Sequence, residues 1–159
     1  MTVLIAIDTG NLGSVASALR HLGADFRVSS DPDVVGSAER LILPGVGAFD
    51  AAMGTLRARG LVGPILEAVR GRRAPILGVC LGMQLLLEAS EEGGLPGLSL
   101  LPGRAVRLGR DDVKVPHVGF AEVAFPASSR LAVGLPEGSS FYFTHSYALR
   151  GSMEDAACG

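Results

Sequence analysis

The sequence predicts a three-layer α/β/α domain, built on a mostly parallel sheet with an antiparallel extension. Three observations predict it. From Val3 to Ala89, short apolar runs alternate with segments of helical periodicity, the order that builds a parallel sheet covered by helices. At 48% hydrophobic residues the chain is rich enough in apolar side chains for most strands to be buried on both faces. Beyond Glu92 the helical segments give way to short strands punctuated by glycine and proline.

The elements follow in order. Val3–Ile7 is a first strand broken at Asp8. Leu12, Val15, Ala16, Leu19 and Leu22 keep helical spacing, and Gly23 supplies a C-terminal stop. Phe26–Ser29 is a second strand, Asp31-Pro32 breaks the chain, and Leu41–Leu43 is a third strand. Phe49–Arg59 forms a helix closed by Gly60, and Pro64 starts another over Ile65–Arg70. Ala74–Val79 is the next strand and Leu81–Ala89 the next helix. Gly93, Gly94, Pro96, Gly97, Pro102 and Gly103 then mark a loop, and short strands surround Val106, Val123 and Tyr142. With no internal repeat or low-complexity linker, residues 1–159 read as one domain.

Composition narrows the function. A net charge of −2, with Lys114 the sole lysine and no basic stripe, removes the electrostatic argument for nucleic acid. Two cysteines, Cys80 and Cys158, make no disulfide framework, so the chain reads as reduced and cytoplasmic. Val3–Ile7 lacks a basic leader, and no apolar run is long enough to span a membrane. The turn Asp8-Thr9-Gly10-Asn11-Leu12-Gly13 lacks the full dinucleotide fingerprint, because Asp8 holds the first glycine position. No cofactor and no metal are expected.

The most informative segment is Gly78-Val79-Cys80-Leu81-Gly82-Met83-Gln84, a cysteine between two glycines where a strand becomes a helix. This is a nucleophile elbow: so tight a turn forces the side chain outward, and small neighbours relieve the crowding. The start of a helix also presents unpaired N–H groups and a dipole that favour an anionic nucleophile. A free cysteine in an apolar stretch is more often a small core residue, but two features point to chemistry. Gln84 interrupts an apolar segment on the face that Cys80 occupies. The strand Leu41-Ile42-Leu43-Pro44 runs into Gly45-Val46-Gly47, a loop able to aim backbone N–H groups at an oxyanion.

This elbow, the Pro44–Gly47 loop and the acidic Ser90-Glu91-Glu92 closely resemble the class I glutamine amidotransferases. Pro116-His117-Val118-Gly119-Phe120 and Phe143-Thr144-His145-Ser146-Tyr147 are similar, within that family, to the glutaminase subunits of imidazole glycerol phosphate synthases. The likeness runs from Val3 to Tyr147. It implies a Cys80 thioester, with Val46, Gly47 and Leu81 supplying the oxyanion hole. It further implies that Gly45, Gln84, Glu92, His145 and Ser146 bind L-glutamine, Glu92 meeting its ammonium group. Ammonia would pass without release to a (β/α)8-barrel cyclase partner that makes imidazole glycerol phosphate and an aminoimidazole carboxamide ribotide. Asn11, His117, Phe120 and Tyr142 would face that partner, the last three on or near one face. The family commonly has Trp-Asn where this chain has Phe120-Ala121, and a longer turn at residues 8–13.

The family's general base lies in a later His-Pro-Glu segment, which these 159 residues do not contain. The expectation is therefore a domain lacking its C-terminal part, with His145 the remaining candidate base and His21 a helix-capping residue. Two alternatives stay open: a subunit serving another synthase, such as anthranilate or pyridoxal phosphate synthase, or an inactive partner-binding module.

Overall fold

The computed structural model describes residues 1–7, 11–109, 114–126 and 129–149. Two compact units are present, Met1–Val106 together with Leu149, and Arg107–Ala148.

The first unit is a four-stranded parallel sheet in the order β2-β1-β3-β4, formed by β1 (Thr2–Ile5), β2 (Phe26–Ser29), β3 (Arg40–Gly45) and β4 (Ile76–Cys80). Strand alternation sends Val3, Ile5, Leu41 and Leu43 to one face and Leu4 and Ile42 to the other. The helices α2 (Pro32–Gly36), α3 (Phe49–Ala58), α4 (Val62–Leu66) and α5 (Leu81–Leu85) cover the first face, burying Val35, Phe49, Met53, Leu56, Ile65 and Leu85. Leu12, Val15, Ala16 and Leu19 of α1 (Leu12–His21) cover the second. The result is the expected three layers. In this strand order the connections diverge between β1 and β3, and ligands of such sheets bind beyond the carboxyl ends of the strands.

Both glycine stops close helices as read. Gly23 has φ +65°, and the N–H groups of Gly23 and Ala24 donate to Arg20 and Leu19. Gly60 repeats the arrangement at φ +66°, with Gly60 and Leu61 donating to Arg57 and Leu56.

Several sequence expectations are corrected. Asp31-Pro32 begins the short helix α2, because the Asp31 carboxylate accepts the Asp33 N–H at 2.9 Å and Pro32 fits the first helical position. Pro64 is the third residue of α4, still within the turn whose N–H groups lack helical acceptors; a five-residue π-helical turn, Glu67–Gly71, follows. Helix α5 stops at Leu85, where segment 98–101 takes up the next carbonyls: the Leu98 N–H donates to Leu85 and the Leu100 N–H to Leu86. The chain turns there into β5 (Ala89–Ser90), which pairs in parallel with β6 (Arg104–Arg107). Burial on both faces fails at the edge strands: Val28 of β2 is 41% exposed and Leu77 of β4 is 47% exposed.

The second unit contains β7 (His117–Glu122) and β8 (Ser140–His145), an antiparallel pair forming its own two-stranded sheet, and a 3-10 turn at Arg130–Ala132. The strand β9 (Tyr147–Leu149) follows.

Candidate active site

Cys80 ends β4 and precedes the first residue of α5, with φ +55° and ψ −117°. A non-glycine residue at positive φ costs about 1–3 kcal/mol and persists only where its surroundings enforce it. Here they do. A Cβ on Gly78 would stand 2.4 Å from the Cα of Met83, and one on Gly82 would stand 1.8 Å from the carbonyl oxygen of Leu43. Neither position admits a side chain, so the helix turns back against the strand and leaves the Cys80 side chain exposed.

The glycine loop lies alongside. Gly45 and Cys80 are register partners, and a Cβ on Gly45 would lie 2.9 Å from the Gly82 nitrogen. Gly45 is buried, whereas Val46, Gly47 and Ala48 are exposed, and Gly47 has φ +95°. Leu81 is buried at the first helical position, where a backbone N–H has no acceptor within the helix. Gln84 is buried on α5; it and Ser90 are the buried polar side chains among the described residues.

Glu92 is tied to the start of α3. Its Oε2 accepts the Phe49 N–H at 2.9 Å, and its own N–H donates to the Ser90 hydroxyl at 3.1 Å. The tie is reciprocal, since the Asp50 carboxylate accepts the N–H groups of Gly94 at 2.9 Å and Leu95 at 3.0 Å. Those two bonds, Gly94 first, hold the Asp50 carboxyl below the usual aspartate range. Sequence reasoning does not pair Asp50 with this loop, nor Ser90 with Glu92. The available signal is an acidic residue in the first turn of a helix, Asp50, facing a Gly-Gly pair after the acidic run.

In the second unit, His145 and Ser146 stand at the end of β8 and just beyond it. His145 Nδ1 lies 3.1 Å from the carbonyl oxygen of Tyr147, and its Nε2 lies 3.3 Å from His117 Nδ1. A carbonyl only accepts, so His145 donates from Nδ1, and its Nε2 then accepts from His117 when both rings are neutral. Both ring nitrogens of His145 are engaged, and no carboxylate orients the ring among these contacts. The rings of His117 and Phe143 stack at 5.4 Å.

Phe120 is 76% exposed and Tyr142 58% exposed, and their rings meet edge-on at 5.2 Å. His117 does not share their face. It pairs with His145 in register while Phe120 pairs with Tyr142, and an odd spacing along a strand reverses the side chain. Asn11 is exposed just before α1, where its side chain makes no capping bond. His21 is exposed at the end of α1. Asp8, Thr9, Gly10 and Cys158 lie outside the described residues. Among the described residues no group of three or more histidine, cysteine or acidic side chains could hold a metal, and no helix is long and apolar enough to cross a membrane.

Comparison with known proteins agrees with this geometry. The family described as glutamine amidotransferase class-I matches residues 5–158. The imidazole glycerol phosphate synthase subunit HisH of Moorella thermoacetica is 47% identical over 157 residues, covering 98% of this chain and 74% of that protein. The corresponding subunit HisH 2 of Pseudomonas aeruginosa is 47% identical over 148 residues, covering 92% of this chain and 73% of that one. Among solved structures, a glutamine amidotransferase superposes with TM-score 0.67 at 18% identity, covering 94% of this chain and 74% of that chain. A GMP synthase-type protein from Thermoplasma acidophilum gives TM-score 0.62, also at 18% identity, over 94% of this chain and 66% of that chain. The chain belongs to the class I glutamine amidotransferase family and, within it, to the imidazole glycerol phosphate synthase HisH subunits.

Proposed function

We propose that this chain binds L-glutamine at the carboxyl ends of β3 and β4 and attacks its side-chain amide with Cys80, supplying ammonia to a cyclase subunit. The observation that carries this reading is the Cys80 backbone at φ +55°, in register with Gly45. The sulfur adds to the amide carbon, and negative charge develops on the amide oxygen. In this reading the N–H of Leu81 and those of Val46 and Gly47 hold it. The C–N bond then breaks, and the nitrogen must gain a proton to leave as ammonia. Water cleaves the resulting thioester, releasing glutamate and restoring the thiol.

Gly45, Gln84 and Glu92 serve substrate binding in this reading, with Glu92 on the ammonium group. Phe120 and Tyr142 supply an exposed aromatic pair for the partner, a (β/α)8-barrel cyclase of the cytoplasm. Mixing the chain with the cyclase subunit of a HisH-containing relative tests the assignment. Co-elution that survives Cys80→Ser supports it, and co-elution instead with the partner of another amidotransferase overturns it.

A further inference from the structure

We propose that Asp50 is a positioning residue for the glutamine site, holding Glu92 at a fixed place relative to the Gly45–Gly47 loop. The inference rests on the substrate role given to Glu92 above. Residues 49–50 and 92–95 are cross-tied in both directions: Glu92 accepts from Phe49, and Asp50 accepts from Gly94 and Leu95. Each carboxylate oxygen of Asp50 takes one N–H, which fixes the orientation of the loop as well as its distance. A Cβ on Gly93 would run into the Asp50 carboxylate, so a side chain there pushes that carboxylate aside.

The consequence follows from chain connectivity. Phe49 begins α3 two residues after Gly47, so the helix start that receives Glu92 is also the continuation of the glycine loop. Phe49 is fully buried and anchors this start in the core. The carboxylate that binds substrate and the glycine loop are thereby built on one rigid corner, and Asp50 is the side chain that ties the second to the first. Site geometry of this kind is sensitive: a displacement of about 1 Å can cost about a hundredfold in productive alignment.

The test uses alkylation of Cys80, mapped by peptide mass so that Cys158 is counted separately. A chloro-ketone analogue of glutamine reports the shaped site through a saturable rate, and iodoacetamide reports bare thiol reactivity. Asp50→Asn keeps one acceptor and loses the other, so the half-saturating analogue concentration is expected to rise about tenfold, the loss of one charged hydrogen bond. The iodoacetamide rate should stay unchanged. Gly93→Ala displaces the Asp50 carboxylate without deleting it and should produce the same split; the double variant should be no worse than either single one. Unchanged half-saturation in either folded variant overturns the inference, as does an equal fall in both rates, which marks a merely structural role. If the unaltered chain shows no saturation and no protection by glutamine, the glutamine reading itself fails and this inference falls with it.

Discussion

Gly45 and Cys80 are register partners at the carboxyl ends of β3 and β4, so the glycine loop and Cys80 leave the sheet side by side. Backbone pairing, rather than any side-chain contact, sets their separation. Gly82 packs against the Leu43 carbonyl of β3, with no space for a methyl group. Sheet register and two glycine positions thus define the centre at which the amide would react.

Gly82→Ala should destabilise the chain by at least about 3 kcal/mol, because the clash is with backbone that cannot rotate away. Gly54→Ala is the contrast. A Cβ there meets nothing within 4 Å in the middle of α3, so it should stabilise by about 0.5–1 kcal/mol. Urea unfolding of the two variants measures both.

Acid should weaken the clasp between α3 and the Glu92 loop. The Asp50 carboxyl is depressed in the folded state, chiefly by the Gly94 N–H, so its contribution is present above the usual aspartate value of about 3.9 and is lost as pH falls through the folded value. Asp50→Asn removes this titration. Stability profiles of the two proteins should converge as pH falls below about 4, and parallel profiles would remove Asp50 from the acid response.

Phe120→Ala should weaken association with the cyclase subunit by about 1–3 kcal/mol, as expected for an aromatic anchor buried on binding. Its exposure and edge-on contact with Tyr142 leave it free to be covered. His117→Ala should cost less by the same titration, because His117 stands on the opposite face beside His145. Equal effects of the two would contradict the face assignment.

His145 should not serve as the general base, because both of its ring nitrogens are already engaged. Loss of a positioned acid–base group lowers rates by about 10²–10⁴-fold. His145→Ala should therefore lower Cys80-dependent glutamate release by less than this, and a fall of that full size would instead make His145 the base.

The layers and the elbow are legible in the sequence because each rests on local chemistry. Continuous apolar runs at β1 and β3 mark strands buried on both faces, Gly23 and Gly60 supply the positive φ of helix ends, and Gly78 and Gly82 flank the cysteine. What escapes the sequence depends on tertiary pairing. The early end of α5 is decided by segment 98–101, where Leu98 donates to Leu85 and Leu100 and Leu101 donate to Leu86. The Asp50 grip joins residues 44 positions apart, which no local pattern announces. The split of His117 from Phe120 needs only strand parity, but parity speaks only once β7 is known to be a strand.

A glutamine-like chloro-ketone, its attachment site read by peptide mapping with and without excess glutamine, decides whether Cys80 is the reactive thiol of this site. It should modify Cys80 in preference to Cys158, and glutamine should suppress the reaction. Labelling confined to Cys158, or labelling of Cys80 that glutamine leaves untouched, would contradict this role of Cys80.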